Sequence, residues 1–170
     1  MKQDLTPLVL TISICLFFGC SQPTAKKVEK EKVDNMYSTT GDDTQMNSAM
    51  QAAGRRFGQF DSAFKSGKYD PLLFSIKVRY SYPRGNEYMW LVQVDFDKNE
   101  YSGLVSDTPR HPIHINLGDR VAIDQAKIVD WLYGKDSILH GGYTLRVITG
   151  RMSKEEREKH RAKFPYKIED

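Results

Sequence analysis

Met46, Met50, Ala53, Phe57, Phe60 and Phe64 recur at steps of three and four. That is the period of one helix face. The pattern predicts a single helix opened by Asp42 or Asp43, whose carboxylates accept from unpaired backbone N–H groups and suit the helix dipole. Gly67 ends it. Gln51, Arg55, Gln59 and Ser62 fall on other faces. Gly54 and Gly58 each weaken a helix by up to ~1 kcal/mol relative to Ala, and they read as points of close approach to a strand. The apolar stripe reads as a face packed on a sheet, in preference to a ligand-binding surface. The period then changes to two. Phe74, Ile76, Val78, Tyr80 and Tyr82 alternate with Ser75, Lys77, Arg79 and Ser81. Tyr88, Trp90, Val92, Val94 and Phe96 alternate with Met89, Leu91, Gln93 and Asp95. Each run predicts a strand with one set facing the core, and 83–86 between them reads as a hairpin turn. Met89 and Leu91 put apolar groups on both faces of the second strand, so it is expected to be central.

Weaker patterns follow. A turn at 97–100 leads to a third strand at 101–105 and a proline-containing loop at 106–112. Gly118-Asp119 opens a short strand at 120–123. Residues 128–133 are ambiguous between strand and helix; Ile128, Val129, Trp131 and Tyr133 favour strand. Residues 134–142 read as a loop, and 143–148 as a helix entered through two glycines or a last strand. Ser153 with Glu156 is a capping box that starts a charged helix at 154–163, ended by Pro165. The expected class is α+β: an N-terminal amphipathic helix on an antiparallel sheet of about four to five strands, with a C-terminal helix.

The N-terminus changes the picture. Lys2 precedes an apolar run, 8–18, which ends at Gly19-Cys20. A basic start, an apolar stretch of roughly 7–15 residues and a small residue at the cut describe a signal peptide. The run is short for a membrane span, which needs ~20 apolar residues. Residues 1–19 are therefore expected to be a signal peptide, and the Cys20 thiol is expected to carry lipid. Cys15 leaves with the signal, so no disulfide is expected in the folded part. Residues 20–41 are polar and read as a flexible linker, 42–150 as one domain and 151–170 as a charged helical tail. A linker of about 20 residues spans roughly 25 Å root-mean-square. The net charge of +3 over 170 residues is small, and no basic stripe of a nucleic-acid binder stands out.

Three groups could carry chemistry. His111 and His114 lie three apart around Pro112. In an extended chain that spacing puts them on opposite faces, and zinc needs further ligands, so no metal site is assigned. Asp130-Trp131 and Gly141-Gly142-Tyr143-Thr144 with Arg146 form the candidate ligand surface. Paired glycines let a backbone approach a ligand, a helix start offers N–H groups to an anion, and Arg146 could clamp a carboxylate or phosphate. In the competing structural reading Asp130 pairs with Arg146 to fix the loop, Thr144 caps the helix and Trp131 is core. Ser106, Asp107 and His111 lack the strand–Ser–helix elbow of a nucleophile, so no catalytic residue and no cofactor are assigned.

Five segments in order, Glu87-Tyr88-Met89-Trp90-Leu91-Val92, Tyr101-Ser102-Gly103-Leu104, Gly118-Asp119-Arg120-Val121, Ile128-Val129-Asp130-Trp131-Leu132-Tyr133 and Gly141-Gly142-Tyr143-Thr144-Leu145-Arg146, resemble the YegJ-type bacterial domain of unknown function. The similarity covers roughly 43–150. It implies no established reaction, and it agrees with an envelope lipoprotein, since some members look like one. The expected function is a non-enzymatic binding domain for a protein partner or small ligand, tethered to a membrane through lipid on Cys20 and facing away from the cytoplasm, on the outer membrane if the host has one. The alternative is an envelope enzyme acting on an anionic wall- or lipid-derived substrate through Asp130, Tyr143, Thr144 and Arg146.

Overall fold

The structure, a computed structural model, describes residues 43–163 and 166–168. The expected signal peptide, Cys15, Cys20, the linker and Pro165 lie outside the described residues. Asp43 starts helix α1, Thr44–Arg55, by accepting the Met46 amide at 3.1 Å. The stripe does not run on as one helix. Arg56 leaves helical geometry at φ −109° and ψ 9°, and a second helix, α2, spans Phe57–Lys65. The stripe serves two surfaces, and the division falls within α1: Met46 packs with Ile148 and Met152, whereas Ala53 of α1 and Phe60 of α2 join the main core. Gly54 and Gly58 are not points of close approach, since a Cβ on either would meet nothing within 4 Å.

Strands β1 (Phe74–Tyr82), β2 (Gly85–Asp97), β3 (Glu100–Val105), β4 (Arg120–Ile123), β5 (Ile128–Lys135), β6 (Ile138–Gly141) and β7 (Lys167–Ile168) form one sheet in the order β4-β3-β2-β1-β5-β6-β7. The first six pair antiparallel, and β7 lies parallel to β6. The α+β class therefore stands with more strands than four to five. The extra ones have two sources. Residues 134–142, expected as a loop, make a hairpin, with Asp136 and Ser137 at φ 50° and 63° turning β5 into β6. The chain beyond the last helix then returns to pair as β7. Residues 143–148 are helical, within α3 (Tyr143–Arg151). Helix α4, Lys154–Lys163, begins with the reciprocal capping box, Ser153 N–H to Glu156 at 2.9 Å and Glu156 N–H to Ser153 Oγ at 3.3 Å.

In β2 the inward set switches along the strand. The β2–β3 register shifts between Val92 and Asp95, with Gln93 at φ 47°. A bulge adds one residue and so exchanges the two faces. Before it Met89 and Leu91 are buried; after it Val94 is buried and Phe96 packs on the core. Tyr88, Trp90 and Val92, expected to share a face with Val94 and Phe96, point the other way.

The core fills one side of the sheet. Fully buried Phe60 lies 5.4 Å from Phe74, 6.0 Å from Tyr101 and 5.9 Å from Trp131, ring to ring. Burying such a side chain contributes roughly 1.5–3 kcal/mol. The loop after β3 supplies Ile113 to the same core. Glu87 holds that loop by accepting the Arg110 and His111 amides at 2.8 and 3.1 Å, while the His111 ring stacks on Tyr82 at 4.2 Å.

Candidate functional site: a buried carboxylate at the start of α3

Cross-strand register places Trp90, Lys77 and Asp130 side by side on β2, β1 and β5. They occupy the positions between the inward-facing Ile76, Leu91 and Trp131. The β1–β5 register shifts just after Lys77, where Val129 is the extra residue. On its other edge β5 pairs with β6 only from Leu132 onward; at Trp131 the carbonyl takes the Gly142 amide instead, at 2.7 Å. Gly141 and Gly142, at φ 76° and 65°, swing the chain from β6 into α3. That left-handed region is costly for residues with a Cβ. At Gly141 a Cβ would also run into the Trp131 carbonyl and ring.

The turn delivers the start of α3 onto Asp130. Its Oδ1 accepts the Trp131 amide at 2.8 Å and the Tyr143 amide at 3.0 Å; its Oδ2 accepts the Thr144 amide at 2.7 Å and the Thr144 hydroxyl at 2.6 Å. Lys77 Nζ donates to the same hydroxyl oxygen at 3.2 Å and lies 5.5 Å from the centre of the Trp90 ring. Asp130 and Thr144 are 0% exposed and Lys77 is 9% exposed. Burial pushes the Asp130 carboxyl above its ordinary range, against the opposing pull of the Thr144 hydroxyl, the amides and Lys77. Burial pushes Lys77 below its ordinary range, with Asp130 opposing. Every contact of Asp130 comes from a donor, so the arrangement suits the ionised, acceptor-only form.

The other expected residues fall around this centre. Tyr143 is half-buried, edge-on to Trp131 at 5.6 Å, with the Arg56 guanidinium 5.8 Å from its ring centre. Trp131 is core, 1% exposed, and its indole N–H donates to the Ala53 carbonyl at 2.9 Å. Arg146 does not pair with Asp130. It donates to the Gly141 carbonyl at 3.1 Å and the Leu139 carbonyl at 3.2 Å, fixing the glycine turn through its backbone. Thr144 does not cap α3 either: Gly142 is the N-cap residue, and the acceptor is Asp130 from another strand. His111 and His114 are exposed, and no group of three His, Cys, Asp or Glu among the described residues is placed to hold a metal.

Lys77 and Trp90 escaped the sequence reading. Both sit in alternating strands, where Lys77 reads as a solvated outward residue. Only the pairing register brings it opposite Asp130, and that register rests on bulges without a sequence signature. The result is a globular domain with a clustered polar and aromatic centre.

The comparisons with known proteins bear on this geometry. A bacterial family described as "Uncharacterized protein conserved in bacteria (DUF2314)" matches residues 43–166. The match continues past residue 150, through α4 and up to the start of β7. The chain is 27% identical over 134 residues to "Uncharacterized protein YegJ" of Escherichia coli K12, covering 78% of this chain and 86% of that one. It is 30% identical over 76 residues to a "Putative ankyrin repeat protein NMB1133/NMB1171" of Neisseria meningitidis serogroup B, covering 45% of this chain and 30% of that longer protein. No solved structure matches. The chain belongs to the DUF2314 family.

Proposed function

With that membership as premise, we propose that the chain is an envelope protein, held to a membrane by lipid on Cys20, whose domain takes an anionic wall- or lipid-derived ligand at the Lys77–Asp130–Thr144 centre. One observation carries the reading: a carboxylate, a hydroxyl and an amine converge in the interior at a helix start. Burying such charges costs several kcal/mol per ion, and apolar residues of similar volume often serve stability as well or better. Groups displaced by burial from their ordinary ionisation cluster at functional sites. In the enzymatic form, Thr144 links a proton donor and acceptor, Lys77 and Asp130, while Arg146 holds the glycine turn.

A specific observation favours a second reading, a non-enzymatic domain that binds a protein partner or small ligand away from this centre. The α3 amides that would meet an anion are already taken by Asp130, and Arg146 is spent on carbonyls. One experiment separates the two. The purified chain is titrated by NMR with muropeptides and glycerophosphate, and the same mixtures are assayed for turnover. Binding that Lys77→Met abolishes while the fold survives supports the centre, and product formation selects the enzyme. Binding unaffected by Lys77→Met, or no binding at all, rejects it. The tether is tested separately. Cys20→Ala should release the protein from the membrane fraction or leave an uncleaved precursor; normal processing and retention would remove the lipid anchor from the proposal.

A further inference from the structure

Strand β7 is the chain's own tail laid along the edge of β6. It runs parallel, with Lys167 beside Ile138 and Ile168 beside Leu139, and the Lys167 amide donates to the Ser137 carbonyl at 2.8 Å. Just before it, Tyr166 lays its ring over Gly134 of β5, where a Cβ would collide with that ring. Gly134 lies outside the left-handed region, so no turn requires a glycine there, and a glycine inside a strand weakens it. What Gly134 provides is a slot for a ring. Leu139 stands opposite it across β5–β6, on the same face, and is 0% exposed although it belongs to neither buried cluster. Slot and edge make a preformed seat. The β5 hairpin pairs the other side of β6, and Arg146 holds the Leu139 carbonyl at 3.2 Å, so β6 keeps its place without the tail.

The tail is lightly held. Helix α4, which leads to it, has Ala162 as its one apolar residue, and none of residues 154–162 is buried. The described β7 pairs with Ile138 and Leu139, whereas β6 continues through His140 and Gly141. We propose that the Gly134 slot and the β6 edge form a binding site for an extended segment of a protein partner led by an aromatic residue, and that the tail is a competitor that holds this site closed. Strand addition draws affinity from main-chain bonds and specificity from side-chain pockets. The seated tail shows what the site accepts: an aromatic ring for the slot, then extended backbone along β6. A second copy's tail would leave one such seat to fill another and gain no contact. A longer segment of another protein adds pairing along β6. The site lies apart from the Lys77–Asp130–Thr144 centre and does not depend on a ligand there.

The test titrates a synthetic peptide of residues 164–170 into the purified chain and follows the backbone amides by NMR. Tyr166→Ala empties the slot, and the peptide should then bind in trans, shifting Gly134, Ile138 and Leu139. The wild type should bind it at least tenfold more weakly, because its own tail competes at high effective concentration. Gly134→Ala/Tyr166→Ala puts a methyl group in the slot with no ring to meet it, so the fold survives and the peptide should no longer bind. A peptide carrying Ala at position 166 should not bind the open variant. No binding to the Tyr166→Ala chain, equal binding to the wild type, or indifference to Gly134→Ala overturns the proposal. So does a wild-type dimer in sedimentation that Tyr166→Ala dissolves, since the occupant would then be a second copy.

Discussion

Helices α2 and α3 both close on β5, one through rings and the other through a charge. Phe60 and Phe64 of α2 meet Phe74, Tyr101 and Trp131 in a group of edge-on and tilted aromatic contacts. The start of α3 is held by one carboxylate that satisfies two of its amides and a hydroxyl. Ring packing depends on volume and tolerates rearrangement. A buried carboxylate among donors depends on the identity of single atoms. The ring side of β5 therefore supplies stability, and the polar side fixes the position of one helix start beside Lys77.

The comparison breaks first under truncation. Phe60→Ala should cost about 3–5 kcal/mol, the range for emptying an aromatic site. Asp130→Ala should cost a similar ~3–5 kcal/mol, since it leaves Lys77 and the α3 amides buried without their acceptor. Urea unfolding checks both. Shape-conserving swaps then separate the two sides. Phe60→Leu should cost well under its Ala counterpart. Asp130→Asn, nearly identical in shape, should still cost roughly 1.5–3 kcal/mol, the scale of a hydrogen bond to a charged group, because its amide must point a donor at donors. Equal tolerance to the two conservative swaps would mean that α3 is held by volume and not by charge.

A smaller effect sits in the turn between the two sides. Gly141→Ala forces a Cβ onto Trp131 at a positive φ, so it should destabilise by more than the ~1–2 kcal/mol of the left-handed region alone. Gly54→Ala, in open space on α1, should instead stabilise by up to ~1 kcal/mol. Thermal melts of the two variants should move in opposite directions. A neutral Gly141→Ala would mean that the turn relaxes and does not set the approach of α3 to Asp130.

These regions also differ in how far the sequence revealed them. The ring side was legible because each ring lies on a periodic stripe: Phe57, Phe60 and Phe64 repeat at helical spacing, and Phe74 and Ile76 alternate. Periodicity records which side of one element is apolar, and burial follows from that. The polar side was legible only in part. Asp130, Tyr143 and Thr144 were singled out from residue types near a glycine pair, and the structure brings them together. One pairing of the structural reading does not form: Arg146 binds carbonyls of its own turn and not Asp130. Lys77 stayed hidden because its partner lies 53 positions away along the chain and across a bulge. The face of Trp90 was also misread, since one left-handed residue, Gln93, reverses the alternation without changing its appearance in sequence.

The smallest predicted effect concerns a second charge-held contact of α3, at its other end, and it tests whether exposed charges act as the buried one does. Arg151 grips Asp43 with two bonds of 2.7 Å, joining the end of α3 to the start of α1. The Arg151 guanidinium, with help from the Met46 amide, lowers the Asp43 carboxyl from 3.8 to about 2. A carboxyl depressed by folding contributes stability that is complete above its unfolded value and is lost as pH falls through its folded value. For Asp43 that window runs from about 3.8 down to about 2. Arg151→Gln removes the largest cause of the depression, so the variant should be less stable than wild type at pH 6 and the gap should narrow through this window. Urea midpoints at pH 6, 4, 3 and 2 measure it. Asp61, also lowered, titrates in both proteins and cancels in the difference. A gap that stays constant down to pH 2 would show that Arg151 acts on α1 by packing and not by charge. The buried carboxylate of Asp130 would then hold the start of α3 by charge while its far end is held by packing.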